Sequence, residues 1–368
     1  MGKHKSKRRT TLVALVVGLA LIAAACGSDD SGSDDSLPTI VVTTSIWGDV
    51  VGTIVGDDAN VEVIIPIGAD AHDFAPSSQQ VASIQTADLV VANGLGLEEG
   101  LEDVLEAAAA DGVNVLEVAP LVNPIPFALT EDHDDDHSDE EGEESEEGEE
   151  SEEGDHSDEE GEEGEEGDHS DEEHSDEEGE EGDHSDEDHA HDGDDPHVWM
   201  DPDRVALAAL EIAEALTALD GTVDWMGRAE AYADDLRAAG VEADEMLSVV
   251  ASDQRKLVTN HEALGYFADR FDFEVIGVIF PGGSTLSDPS SAELAELVET
   301  MEDEGVTTIF GESTSASTLA EAVAAEVGDE VEVVELYTES LGEPDSGAET
   351  VLEMTLKNAE LVAGSLGG

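Results

Sequence analysis

The sequence predicts an α/β protein with two Rossmann-like lobes, each built on a parallel sheet, that are joined by one long rigid helix. In the first half of the chain, short β-branched runs alternate with helix-like stretches, and the same alternation resumes after residue 255. Alternation of this kind is typical of parallel sheets with right-handed helical crossovers. Between the two halves, residues 222–250 carry apolar side chains at helical spacing.

The first lobe is predicted to contain four strands and three helices. The sequences of the predicted strands are short and β-branched, and Pro66 ends the second strand because proline cannot donate to a strand ladder. The strands are expected at 39–44, 61–65, 87–92 and 113–118. The helices are expected at 46–55, 77–85 and 97–110.

The second half of the chain begins with two predicted helices, 202–219 and 222–250. In the longer one, apolar residues recur at three-, four- and seven-residue steps from Trp225 to Val250. A helix of about 29 residues would measure about 43 Å, which is long enough to join two lobes. The later strands are expected at 256–260, 273–279, 307–310 and 331–336, and the later helices at 263–271, 290–304, 317–326 and 348–361.

The charge of the chain is extreme and unevenly distributed. There are 95 acidic and 12 basic residues among 368, a net charge of −83. Such a chain is a poor partner for nucleic acid or an anionic membrane surface, since both require cationic contacts. Residues 131–195 hold 40 of the acids and no lysine or arginine, and they repeat the unit His-Ser-Asp-Glu. This segment has almost no apolar surface to bury, so it is predicted to be a disordered insertion.

The N-terminus has the composition of a lipoprotein signal peptide. Five basic residues precede an apolar run of 14 residues, 12–25, which is too short to span a bilayer comfortably. Small residues then precede Cys26, the only cysteine, as in a bacterial lipobox. We therefore expect an extracytoplasmic protein attached to the cell membrane by a lipid on Cys26. The alternative is an ordinary cleavage site that lies near a cysteine.

These patterns divide the chain into seven segments. They are a signal peptide (1–26), a flexible tether (27–37), the N-terminal lobe (38–130), the acidic insertion (131–195), the end of the N-terminal lobe (196–221), the linking helix (222–250) and the C-terminal lobe (251–368).

Three histidines lie outside the signal peptide and the acidic insertion: His72, His197 and His261. His72 and His261 follow predicted strands, one in each lobe, and ligands of open α/β sheets bind at the carboxyl ends of strands. A single histidine in such a place is usually structural. Three of them, contributed by two lobes, make a metal site a competing interpretation, and neutral imidazole suits zinc.

Several motifs carry a resemblance to the ABC-transporter substrate-binding proteins for zinc and manganese. They are GADAHDFAPSSQQ, ADLVVANGLGLEEGLE, DPHVWMDP, VTNHEALGYFADRF, GGSTLSDPSSAELAELV, TIFGEST and ELYTESLG, which appear in family order across residues 39–363. The resemblance implies a metal held between the lobes by His72, His197, His261 and a carboxylate of the last motif. That carboxylate is Glu339, where the family often has Asp. Glu312 is the alternative ligand, or an outer partner of a ligating histidine.

The resemblance also implies a cargo and partners. A third imidazole at His261 favours Zn²⁺ over Mn²⁺, which prefers carboxylate-rich sites, although manganese stays an alternative. We expect a monomer that delivers zinc to the permease of an ABC importer. Within the insertion, three closely spaced histidines form the best local chelator for additional weak zinc binding: His184, His189 and His191.

Two rival functions belong to other classes. Three imidazoles with an open fourth position could activate water in a zinc hydrolase. Against this, a carboxylate is available for the fourth position and no separate general base lies beside it in the sequence. An acidic surface protein for adhesion or metal buffering would instead bind through the insertion and not through the three histidines.

Overall fold

A computed structural model of the chain describes residues 37–129, 193–287, 289–315, 317–328 and 331–367. Within these residues, eight strands and nine α-helices form two parallel sheets with helices on their faces, and the predicted fold class is confirmed. The proposed signal peptide, the lipidation site at Cys26 and the histidines His184, His189 and His191 lie outside the described residues. No helix among the described residues is long and apolar enough to cross a membrane.

The N-terminal lobe is a four-stranded parallel sheet in the order β2-β1-β3-β4. Its central strands are almost wholly buried, which explains why their sequences are continuous apolar runs without alternation. The strands are β1 (Thr39–Val42), β2 (Asn60–Val63), β3 (Leu89–Ala92) and β4 (Val115–Glu117). The helices are α1 (Ser45–Val55), α2 (Ser78–Gln85) and α3 (Glu102–Ala110), followed across the insertion by α4 (Pro202–Leu219).

The C-terminal lobe repeats this topology as a second parallel sheet, in the order β6-β5-β7-β8. The strands are β5 (Lys256–Thr259), β6 (Glu274–Val278), β7 (Thr308–Glu312) and β8 (Glu332–Leu336). The helices are α6 (Gly265–Phe271), α7 (Ser291–Glu304), α8 (Thr318–Val327) and α9 (Val351–Leu366). In both sheets the first strand of the lobe is followed by a strand on one side and then by two strands on the other side. The two sheets therefore have the same strand order.

Side-chain caps fix the starts of most of these helices. Ser77 and Ser290 each form a capping box with the residue three positions later. Asp201 accepts from the backbone of Asp203, and Pro202 occupies the first helical position, where a missing N–H has no cost. These local signals explain why the predicted start of α4 agrees with the structure.

The helix between the two sheets is α5 (Trp225–Leu247), which has 23 residues. It measures about 35 Å at 1.5 Å per residue, and it is shorter than predicted because turns occupy both ends of the segment 222–250. Near its start, Arg228 donates to the carbonyl of Val55 in the N-terminal lobe at 2.9 Å. At its end, the carbonyl of Leu247 accepts from Arg255, which leads into β5.

Residues 193–195, which the sequence assigned to the acidic insertion, pack against the N-terminal lobe. Asp194 forms an antiparallel bridge with Pro126, and Asp195 is fully buried. The backbone N–H of Asp195 donates to the carbonyl of Ile125 at 2.8 Å. Residues 193–195 therefore fold with the N-terminal lobe, and composition alone assigned them to the wrong segment.

Candidate metal centre

The carboxyl edges of the two sheets carry the polar side chains of the site. In each sheet the direction of the chain path reverses between the two central strands, and open α/β sheets bind ligands at such a point. In the C-terminal lobe, His261 comes two residues after β5, and Glu312 is the last residue of β7. In the N-terminal lobe, His72 lies in the loop after β2.

Four of the predicted site residues come together. The ligand atoms of His72, His197, His261 and Glu339 all lie within 4.8 Å of one another. Each residue is at most 3% exposed. His197 directly precedes a short 3₁₀ turn, Val198–Met200, and Glu339 follows β8. His72 and His197 belong to the N-terminal lobe, and His261 and Glu339 belong to the C-terminal lobe.

The separations within this cluster match the edges of a small coordination polyhedron. His197 Nε2 lies 3.1 Å from His261 Nε2, and Glu339 Oε1 lies 3.4 Å from the first and 3.5 Å from the second. His72 Nε2 lies 3.9 Å from Glu339 Oε2. A tetrahedral ion with bonds of about 2.0–2.1 Å separates its ligands by about 3.3–3.4 Å. The separations among His197, His261 and Glu339 are close to these edges, and the wider separations within the cluster, up to 4.8 Å, must shorten for all four side chains to bind such an ion.

Several of these atoms lack protein partners. Considering the described residues alone, both ring nitrogens of His72 and both carboxylate oxygens of Glu339 are buried without a hydrogen bond. Leaving a buried polar atom unpaired costs about 1–3 kcal/mol. Such atoms in a native protein are expected to meet a ligand, and here the donor types are those that bind divalent metals.

The ring of His197 is oriented by Asp195. Asp195 Oδ1 lies 2.6 Å from His197 Nδ1 and accepts from the His197 backbone N–H at 2.9 Å. Burial lowers the pKa of His197 to about 3, in spite of the nearby carboxylate of Glu339. Burial also raises the pKa of Asp195 to about 7, against the backbone hydrogen bond. We infer a neutral imidazole that donates through Nδ1 and leaves the Nε2 lone pair facing the cluster.

The ring of His261 is oriented by Glu312. Glu312 Oε1 contacts His261 Nδ1, and its Oε2 accepts from Asn260 Nδ2 at 3.1 Å. Burial alone would lower the pKa of His261, but Glu312 and then Glu339 raise it to about 9. Burial alone would raise the pKa of Glu312, but the charge of His261 holds it below its ordinary value. Glu312 thus contacts the outer nitrogen of His261, and Nε2 faces the other residues of the cluster.

The loop that carries Glu339 is fastened to the N-terminal lobe. Trp199 Nε1 donates to the carbonyl of Thr338 at 2.6 Å. The Ser340 hydroxyl accepts from the backbone N–H of Gly68 at 2.9 Å and lies 3.2 Å from the hydroxyl of Ser45. These contacts on both sides of Glu339 hold its carboxylate at the lobe interface.

Sequence reasoning missed two residues of the site. Asp195 was counted with the acidic insertion, although its position two residues before His197 in the segment DPHVWMDP could have indicated a partner for that ring. The contact of Trp199 with Thr338 joins residues 139 positions apart, and no local pattern predicts it.

This fold and this site define a class, the metal-binding substrate-binding proteins of ABC importers. The ZnuA family (zinc-uptake complex component A, periplasmic) matches residues 40–364, and the chain belongs to this family. It is a family of transport proteins and not a class of enzymes.

Individual relatives differ in the metal that their names give. The chain is 26% identical to the manganese-binding lipoprotein MntA of Halalkalibacterium halodurans, over 96% of this chain and 97% of the relative. It is 28% identical to the zinc-binding lipoprotein AdcA of Streptococcus pneumoniae, over 95% of this chain but only 60% of that longer relative. The periplasmic zinc binding protein TroA from Treponema pallidum has the same fold, with a TM-score of 0.67 and 21% identity over 90% of this chain and 99% of TroA.

Proposed function

We propose that the chain captures Zn²⁺ outside the cytoplasm with His72, His197, His261 and Glu339 and delivers it to an ABC importer. The observation that carries the proposal is the group of four buried ligands, two from each lobe, whose donor atoms lie within 4.8 Å of one another. Three imidazoles, deprotonated at the nitrogen that binds the metal, and one carboxylate are a donor set that suits zinc in tetrahedral coordination. The zinc-binding relative AdcA supports this choice of metal.

Manganese is the second candidate cargo. The manganese-binding lipoprotein MntA of Halalkalibacterium halodurans matches this chain over nearly the full length of both. Glu339 could provide both of its oxygens to a metal that prefers carboxylate ligands. Against manganese, three of the four side chains are imidazoles, whereas sites for manganese are usually rich in oxygen ligands.

We infer capture rather than catalysis. The carboxylate of Glu339 is available as a fourth ligand, whereas a zinc hydrolase keeps its fourth position open for water. All four side chains are buried, so a substrate would have no direct access to the ion. Membrane attachment through Cys26 is supported by the relatives that are named lipoproteins. Action as a monomer and docking on a permease complete the proposal.

A zinc titration of the purified chain tests the site against the insertion. We expect one tight zinc equivalent that is lost when His72, His197 and His261 are replaced together by Ala. The matched control is deletion of residues 131–192, which should remove only weak additional zinc equivalents. Loss of the tight equivalent in the deletion, with retention in the triple variant, would instead favour the metal-buffering alternative.

The protein is purified from a host grown with ample metal and is then crystallised. An X-ray absorption-edge scan of these crystals identifies the ion at the site. A zinc edge supports the proposal, and a manganese edge supports the second candidate. Metal-dependent turnover of simple esters by the same sample would favour the hydrolase. In that case turnover should vanish in the triple variant.

A further inference from the structure

A loop of the C-terminal lobe reaches two acidic residues that flank His72. The Ser284 hydroxyl donates to Glu99 Oε1 at 2.7 Å, and the Thr285 hydroxyl donates to Asp70 Oδ2 at 2.6 Å. Asp70 and Glu99 belong to the N-terminal lobe, so both hydrogen bonds cross from one lobe to the other. We call residues 282–286 the strap.

The strap also packs closely against the N-terminal lobe. A Cβ atom placed on Gly283 would lie 2.1 Å from the ring of Phe127, so only glycine allows this approach. The contact brings the two following hydroxyl groups to the N-terminal lobe. Glycine at this position is therefore explained by a close approach between the lobes and not by backbone conformation.

Each of the two acids lies between a strap hydroxyl and His72. Asp70 Oδ1 accepts from the backbone N–H of His72 at 2.9 Å, and its other oxygen accepts from Thr285. Glu99 Oε1 lies 3.7 Å from His72 Nδ1 and accepts from Ser284. If Nε2 of His72 binds the metal, Nδ1 carries the proton, and the carboxylate oxygen that it faces is Glu99 Oε1.

His72 differs in this respect from the other two histidines. Asp195 and Glu312 contact their imidazoles directly, and their side chains are buried. The side chain of Glu99, in contrast, is 43% exposed, and its oxygen is beyond hydrogen-bond distance from the ring. Of the three histidines, His72 is thus the one whose outer support is least enclosed by the protein, and that support is bonded to residues of the other lobe.

We propose that Asp70 and Glu99 are the positioning residues of His72, and that the strap hydroxyls of Ser284 and Thr285 hold them in place and thereby control how fast the bound metal leaves. The inference rests on the proposed metal site. Partners of ligating histidines fix the orientation of the ring and typically change metal affinity by about 10–100-fold when they are removed. When the strap detaches, both acids lose their fixed positions, and His72 becomes the first ligand to leave the ion.

The test is the rate at which the full-length chain gives up Zn²⁺ to an excess of a chromogenic chelator. The double variant Ser284→Ala, Thr285→Val removes both hydroxyls and should release zinc about tenfold faster. The control Ser287→Ala removes a hydroxyl that, among the described residues, bonds within its own loop, to the carbonyls of Pro281 and Ser284. This control should release zinc at the wild-type rate. Ser284→Thr keeps the hydroxyl and should retain slow release in the otherwise unchanged chain.

A spectroscopic measurement separates positioning from loop stability. Glu99→Gln keeps the shape of the side chain but removes its charge, so the d–d absorption bands of the Co²⁺-loaded chain should shift, whereas those of Ser287→Ala should not. Unchanged zinc release in the double variant, or equal acceleration in Ser287→Ala, overturns the inference. An unchanged Co²⁺ spectrum in Glu99→Gln overturns the role of Glu99.

His197→Ala, measured in parallel, distinguishes this failure from failure of the proposed function. If His197→Ala loses tight zinc while the double variant releases it at the wild-type rate, only the role of the strap is wrong. If His197→Ala keeps tight zinc, the proposed metal site is wrong and the strap inference fails with it.

Discussion

Two histidine–carboxylate pairs, His197 with Asp195 and His261 with Glu312, have the same geometry and opposite charge states. In both, a buried carboxylate contacts Nδ1 of a buried imidazole. Yet burial lowers the pKa of His197 to about 3, whereas the pKa of His261 is raised to about 9, because there the charge of Glu312 outweighs burial. At neutral pH the first imidazole is neutral and the second carries a proton on each nitrogen.

One difference between the two pairs lies in the second oxygen of each carboxylate. Glu312 Oε2 accepts from Asn260 Nδ2 at 3.1 Å, so both oxygens of this ion are hydrogen-bonded. Asp195 Oδ2 is buried and, among the described residues, has no hydrogen-bond partner. Hydrogen bonds to the charged form stabilise it, and burial without them favours the neutral form. The Asn260 donor thus adds to the charge of His261 in holding Glu312 ionised, whereas both donors that contact Asp195 among the described residues, the backbone N–H and Nδ1 of His197, reach Oδ1.

The two charge states fit together across the lobe interface. His197 presents a lone pair at Nε2, and His261 presents a proton at Nε2, which lies 3.1 Å away. We infer that His261 donates to His197 in the metal-free protein. An incoming metal ion must displace this proton, because a metal binds only the deprotonated nitrogen.

The largest expected effect is therefore on the pH dependence of zinc affinity. The folded metal-free protein holds a proton on His261 below a pKa of about 9, and binding releases it. Affinity should rise with pH about tenfold per unit up to that pKa, so about a hundredfold between pH 6.5 and 8.5. Calorimetric titration in two buffers with different ionisation enthalpies should detect at least one proton released per zinc at pH 7.

The sequence alone predicts a loss of zinc affinity only below about pH 6, as for an ordinary histidine site. The structure extends the predicted pH dependence up to the pKa of His261, about 9. Affinity that stays constant from pH 7 to pH 9, with no proton release, would contradict a charged His261. The outer carboxylates would then be equivalent, and the comparison of the two pairs would fail.

Replacing the two carboxylates one at a time should produce the next largest effect. Glu312→Gln keeps the shape but cannot stabilise a charged His261, so the pH dependence above pH 7 should disappear. At pH 9 its zinc affinity should be about tenfold below that of the wild type, since the ring loses its charged partner. Asp195→Asn should keep the wild-type pH dependence, because His197 is already neutral.

The loss of affinity in Asp195→Asn should also be smaller at neutral pH. The pKa of Asp195 is raised to about 7, so this carboxyl group is partly protonated there, and Asn resembles the protonated form. Titrations of both variants at pH 7 and pH 9, with circular dichroism to verify folding, measure the difference. Identical pH profiles for the two variants would refute the assignment of opposite charge states.

The sequence predicts most of the fold, because local signals agree with the tertiary structure. The β-branched runs become the eight strands, and the segment from Asp201 to Leu219 carries its own cap, proline and apolar face. The three histidines could be selected because they are the only ones outside the signal peptide and the insertion. The charge states of His197 and His261 could not be predicted, since they depend on burial and on contacts between distant residues.

Long-range contacts explain the remaining gaps. Glu312 approaches His261 from 51 positions away, and Ser284 approaches Glu99 from 185 positions away. Neither pair has a fixed spacing that a single sequence could reveal. Sequence reasoning kept Glu312 both as an alternative ligand and as an outer partner, and the structure brings its carboxylate to the outer nitrogen of His261.

The smallest expected effect concerns the donor that distinguishes the two pairs. Asn260→Ala removes one hydrogen bond from Glu312, so the carboxylate is less stabilised and the pKa of His261 should fall. Ser315→Ala is the matched control, because it removes only the second contact of Asn260 Nδ2, at 3.1 Å, and leaves Glu312 bonded. One such hydrogen bond contributes about 1 kcal/mol, so the lower pKa of His261 should raise the zinc affinity of Asn260→Ala by about fivefold at pH 7, well below that pKa. Histidine ring protons followed by NMR in the metal-free protein report the pKa of His261, and an unchanged value in Asn260→Ala would show that burial, and not this donor, separates the two pairs.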